Sequence, residues 1–143
     1  MLFTVGGVPS VYYGDEQGLT GVKEEREGGD DAIRPAYPGS PAGLPERGRD
    51  AFVLHQRLIG LRRRHPWLAR ARTSVAHLAN HTAALRTSAD DHSLVTLLNL
   101  GDEPCRFPVD ISHATLAEAG DAGVGDPALV PAHGWRVLVD KPR

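Results

Sequence analysis

Gly7-Val8-Pro9-Ser10-Val11-Tyr12-Tyr13-Gly14-Asp15-Glu16 is an apolar run that stops abruptly on two acids. With Leu2-Phe3-Thr4-Val5 ahead of it, it reads as a helix end, a turn and a buried strand over Val11 to Tyr13. A strand apolar on both faces suits the interior of a parallel sheet, and a Gly-Asp-Glu ending suits a strand end that opens on a site. The chain holds no neighbouring strand of that parallel kind.

Residues 18–49 are rich in Gly, Pro, Asp and Glu, show little periodicity and are long for an ordinary connection, which marks a functional or mobile loop. From Asp50 to His65 the apolar residues Ala51, Leu54, Leu58 and Leu61 recur at three- and four-residue steps, the signature of one face of an amphipathic helix. Asp50 is placed to cap its start. Arg62, Arg63, Arg64 and His65 complement the dipole at its end, and Pro66 forbids continuation.

Beyond Trp67 the texture changes to short β-prone runs separated by turn residues: Ser74 to Leu78, Thr82 to Thr87, Ser93 to Leu100, Cys105 to Val109, Ala128 to Pro131 and Trp135 to Val139. Ala89-Asp90-Asp91-His92 and Gly101-Asp102-Glu103-Pro104 supply tight connections, so Ser93 to Leu100 is expected as a central strand between hairpin neighbours. In the last run Trp135, Val137 and Val139 alternate with Arg136 and Leu138, giving one strongly apolar face.

The 143 residues are enough for one compact domain or two small ones. With 41% hydrophobic and 24% charged residues, disordered and fibrous classes are excluded. A formal charge of -2 offers no long-range field for nucleic acid or an anionic membrane, so neither is expected as a partner. No apolar run reaches the ~18–20 residues of a membrane span, and no secretory signal is seen at Met1, which fits a cytoplasmic protein. The lone Cys105 can form no intrachain disulfide and no cysteine metal cluster.

Gly7 to Glu16 resembles the eighth barrel strand of α-amylase-family enzymes, glycoside hydrolase family 13, whose pattern there is Gly-x-Pro-x-x-Tyr-Tyr-Gly-x-Glu. Asp30-Asp31-Ala32-Ile33-Arg34 is similar to the Asp-x-x-x-Arg element that follows that strand and reaches sugar hydroxyls. Leu58-Ile59-Gly60-Leu61-Arg62-Arg63-Arg64-His65-Pro66-Trp67-Leu68 is similar to the last barrel helix, and the runs from Leu94 to Pro108 and from Pro131 to Leu138 to the family's C-terminal β-sandwich. The resemblance implies an α+β fragment: residues 1–67 as the last βα unit of a (β/α)8 TIM barrel, and residues 68–143 as an antiparallel, Greek-key β-sandwich, the amylase domain C. Its parent would act on the α-glucosidic bonds of α-glucans or maltooligosaccharides.

The family's nucleophile, general acid and further aspartate sit on earlier barrel strands that are not in this chain, so no catalytic residue is assigned and the chain alone is expected to be inactive. A retaining glycosidase needs two carboxyls about 5 Å apart across one bond. Asp15 and Glu16 cannot be that pair, because adjacent strand residues point to opposite faces. Glu16 is read as a loop anchor, and Tyr12 and Tyr13 as packing residues. Asp30 and Arg34 are the candidate substrate-binding residues, since charged hydrogen-bonding groups on a long loop at the C-terminal face of a barrel are placed to read hydroxyls. No cofactor and no metal are expected. His77 and His81 bracket a strand end rather than sharing a helix face, and Glu24-Glu25-Arg26-Glu27 is read as a solvated loop face. The competing reading is a stand-alone, non-catalytic β-sandwich module that binds carbohydrate or a partner protein.

Overall fold

The computed structural model describes residues 1–34, 36–43, 46–120 and 125–140. The chain divides into two compact units: Met1–Pro9 with Leu61–Arg143, and Ser10–Gly60.

The first unit is built on a five-stranded antiparallel sheet. Its strands are β1 (Arg72–Leu78), β2 (Thr82–Ala89), β3 (His92–Asn99), β5 (Ala114–Ala119) and β7 (Trp135–Asp140), in the order β1-β2-β3-β7-β5. Two short strands, β4 (Cys105–Arg106) and β6 (Leu129–Val130), pair separately. β3 is central as expected, but only β2 is its hairpin neighbour; β7 lies on the other side. The turn after β3 therefore leads out of the sheet into β4, not back along β3. Asn99, 1% exposed, fixes that exit. Its amide Nδ2 donates to the carbonyls of Glu103, Val130 and Pro131 at 2.8, 3.3 and 2.9 Å, and its Oδ1 accepts from Gly101 N at 2.9 Å.

The sheet is apolar on both sides. One face buries Ala84, Val95, Leu97 and Leu138 with Phe107 and Val130, and the other buries Leu94 and Val137 with Leu61 and Leu68. Arg136, on the face opposite Trp135, Val137 and Val139, is 5% exposed, and its Nη1 donates to Asp126 O at 2.7 Å. The alternation was legible, but β7 has no solvent side because both faces are covered. β5 was not expected from the sequence. Ala, Leu and Glu favour helix, and antiparallel pairing with β7, with an irregularity between Leu116 and Glu118, overrides that preference.

The helix α1 spans Glu46–Arg64 and starts a turn earlier than the periodicity suggested. Asp50 lies inside it and does not cap it. Glu46 is the acid in the first turn and Arg62, Arg63 and Arg64 the bases in the last, as the dipole favours. Ala51, Leu54 and Leu58 are half-buried, while Val53 and Ile59 are exposed, so the expected stripe is the less exposed face.

Residues 8–13 form no strand, contrary to the sequence reading, and Val8 is 88% exposed. A strand exists only through its partners, and no parallel neighbour is at hand. The residues before it are held firmly. Arg62 Nη1 donates to Phe3 O and Val5 O at 3.2 and 3.0 Å, and Nη2 to Gly7 O. The hydroxyl of Thr96 donates to that of Thr4 at 2.8 Å in the buried interior. Gly6 N donates to Thr73 Oγ1 at 2.9 Å, and a Cβ on Gly6 would fall 2.0 Å from Ala71 O, so only glycine allows this approach.

Candidate functional site

In the Ser10–Gly60 unit, Gly14 (φ 95°) turns the chain into a 3-10 turn, Asp15–Gln17, which Gly18 (φ 61°) ends. Both glycines stand where an L side chain would be strained. The turn aims Glu16 back on the backbone: its Oε2 accepts from Gly14 N at 2.9 Å, and its Oε1 accepts from Tyr37 Oη at 2.9 Å and Gln17 Nε2 at 3.1 Å. The Tyr37 oxygen also accepts from Gly14 N at 3.1 Å, and its ring meets that of Tyr13 edge-on at 4.9 Å. One tyrosine thus closes a loop of more than twenty residues onto a carboxylate.

Desolvation is the largest single influence on the Glu16 carboxyl and raises its pKa, but hydrogen bonds from its own N–H, Tyr37, Gln17 and Gly14 outweigh it and hold the group below the usual range. Desolvation first, and the Glu16 hydrogen bond second, push the Tyr37 phenol up. A carboxyl held ionised accepts hydrogen bonds well and is a poor proton donor at neutral pH, whereas a glycosidase general acid needs a raised pKa. The geometry thus makes Glu16 a loop anchor. Tyr37 escaped the sequence reading, because a single aromatic in a Gly- and Pro-rich loop carries no periodic signal.

Asp30 and Arg34 flank the 3-10 turn Asp31–Ile33, Asp30 at its N-terminal cap and Arg34 at its C-terminal cap, where Arg34 N donates to Asp31 O at 3.1 Å. Asp30 Oδ1 lies 3.1 Å from Lys23 Nζ, with both side chains at least half exposed. A shallow depression of about 310 Å³ is lined by Lys23, Glu24, Arg26 and Asp30 among others. The loop thus gathers Asp30 with Lys23 and Arg26, groups able to donate and accept hydrogen bonds to a polyhydroxylated ligand. Arg34 is exposed at the other end of the turn.

Among the described residues no group of three or more His, Cys, Asp or Glu could hold a metal ion. His77 instead contacts Thr82 Oγ1 at 3.0 Å and the ring of Phe107 edge-on. No helix among the described residues is long and apolar enough to cross a membrane.

Of the solved structures that resemble the chain, the α-amylase from H. orenii superimposes with a TM-score of 0.72 at 22% identity, over 97% of this chain and 33% of its own. The chain has the fold of the C-terminal part of such an amylase. A debranching enzyme from Nostoc punctiforme matches this amylase-type fold over 96% of the chain and 29% of its own, with a TM-score of 0.68 and 22% identity. A cyclic α-maltosyl-(1→6)-maltose hydrolase from Arthrobacter globiformis matches it over 96% and 27%, with a TM-score of 0.65 and 25% identity. The chain spans about a third or less of the length of these amylase-type structures. No family model matches the sequence, and no curated protein matches it.

Proposed function

We propose that the chain serves as the C-terminal portion of an α-amylase-family glycoside hydrolase whose parent cleaves the α-glucosidic bonds of α-glucans or maltooligosaccharides by the two-carboxylate retaining mechanism. In this reading residues 1–67 are the last βα unit and loop of the (β/α)8 barrel, and residues 68–143 the appended Greek-key β-sandwich. Asp30 and Arg34 contact the sugar at the C-terminal face of the barrel. The nucleophile and general acid belong to barrel strands outside this chain, which by itself is inactive. The reading is carried by one observation: 97% of the chain matches the α-amylase from H. orenii in fold, with a TM-score of 0.72.

The test is a chimera in which residues 1–143 replace the equivalent C-terminal third of the H. orenii α-amylase. The chimera is expected to release reducing sugar from starch, and Asp30→Ala in it to raise KM. The 143-residue chain alone is expected to release none, and release by the chain alone defeats the proposal.

The stand-alone β-module reading draws on a different observation. Every buried apolar side chain among the described residues lies in Met1–Pro9 or Leu61–Arg143, so the β unit owns its core. A chimera that folds without activity, together with a cooperative two-state β unit, favours that alternative.

A further inference from the structure

Three rings meet where α1 ends on the β sheet. His65 follows the last residue of α1 and caps the 3-10 turn Pro66–Arg70: its N–H donates to Arg62 O and its carbonyl accepts from Leu68 N, each at 3.1 Å. The half-buried indole of Trp67 packs on the Leu61, Leu68, Leu94 and Val137 cluster that joins this corner to the sheet. The imidazole of His92, at the start of β3, stacks on that indole at 5.6 Å and 15°, and the His65 ring meets it steeply at 6.0 Å and 73°. One indole thus touches two imidazoles, one from the helix end and one from the sheet.

The groups around the stack decide what a proton on His65 meets. Arg64 lines this corner from α1, Arg70 from the turn, Asp90 from the β2–β3 connection, His92 from β3 and Asp140 from β7. Asp140 is already held by Arg86 at 3.0 Å, and Arg64 pairs with Glu118 on β5 at 3.3 Å. Asp90 also lines a second depression with Arg70 and Arg72, so its charge is opposed there. Burial is the main influence on the His65 imidazole, followed by the charges of Arg64 and then His92. All three push its pKa down, and no hydrogen bond offsets them. The folded chain thus disfavours charged His65 relative to the unfolded chain, whose value is 6.5. What neutral His65 contributes to stability is complete above 6.5 and is lost as pH falls from there toward the folded value.

We propose that the His65, Trp67 and His92 stack is an acid-sensitive latch, in which protonation of His65 drives its ring off the Trp67 indole and loosens the end of α1 from the sheet. Its signal is mild acid, in the range where histidine changes charge. The latch lies wholly within the β unit and does not depend on the function proposed above.

The full 143-residue chain is taken from about pH 8 to about pH 5 while the histidine ring-proton resonances, the Trp67 indole N–H resonance and the thermal midpoint are followed. His65 is expected to titrate below 6.5, with the Trp67 signal moving on the same curve and the midpoint falling by several degrees. His65→Gln keeps a neutral planar side chain and is expected to remove most of that fall. Arg64→Gln and His92→Gln are each expected to lift the His65 titration toward 6.5, the arginine change by more, which a packing role alone would not do. Arg64 is exposed, so Arg64→Gln and the parent titration carry the test if His65→Gln fails to fold. A His65 that titrates at or above 6.5, a Trp67 signal that does not follow it, an Arg64→Gln variant that leaves it unmoved, or an undiminished fall in His65→Gln each overturn the proposal.

Discussion

The two compact units both carry apolar residues and use them in opposite ways. In Met1–Pro9 with Leu61–Arg143, side chains such as Leu94, Val95, Leu97, Val130 and Leu138 reach zero exposure. In Ser10–Gly60, Tyr12, Tyr13, Val22, Ile33, Tyr37, Val53 and Ile59 are exposed, and no described apolar side chain is fully buried. A sheet covered on both faces supplies its own core, whereas a loop and one helix cannot. What order the Ser10–Gly60 unit has comes from polar ties such as Glu16 with Tyr37 and Gly14. Such ties contribute about 1 kcal/mol each, against ~1.5–3 kcal/mol for burying one large apolar side chain.

The widest expected gap is in hydrogen exchange. Amides of β3 should open only with global unfolding, on the order of 5 kcal/mol or more, while those of residues 10–13 exchange at nearly the free rate. If Val11 to Tyr13 prove as protected as Ser93 to Asn99, the contrast fails, and with it the view that this segment lacks partners. Next in size is Leu94→Ala, which should cost about 2–5 kcal/mol in denaturant unfolding. Val22→Ala in the other unit should stay within about 0.5 kcal/mol. Equal effects would show that the two regions share one core. Asn99→Ala strands three carbonyl partners at the exit from β3 and should cost about 1–3 kcal/mol.

The smallest effect concerns Glu16. Its folded pKa lies below the unfolded value of 4.5, so its contribution to stability is complete above that value and is lost as pH falls through the folded one. Glu16→Gln should remove this acid dependence and let the Tyr37 phenol titrate at lower pH, read by ultraviolet absorbance. An unchanged tyrosine titration would mean that the carboxylate does not hold the loop.

Much of the β unit could be read from the sequence because its strands alternate or run apolar between clear turns. β2, β3 and β7 fall within two residues of their expected bounds, whereas Cys105 to Val109 shrinks to the two residues of β4. β5 could not be read, since Ala114 to Ala119 prefers helix locally and becomes strand only along β7. For the candidate site, the resemblance named Asp30 and Arg34 and left out Lys23 and Tyr37, which join Asp30 and Glu16 only through loop closure.

The sequence by itself determined the class of the periodic elements from α1 onward and the stop of α1 ahead of Pro66, because these rest on neighbours within a few residues. Only the tertiary structure decided that the chain leaves β3 for a second sheet, that Arg136 is buried, that Trp67 stacks on His92, and that residues 8–13 form no strand. Each of those depends on groups far apart in sequence, and pairing across such distances leaves no mark on the local pattern.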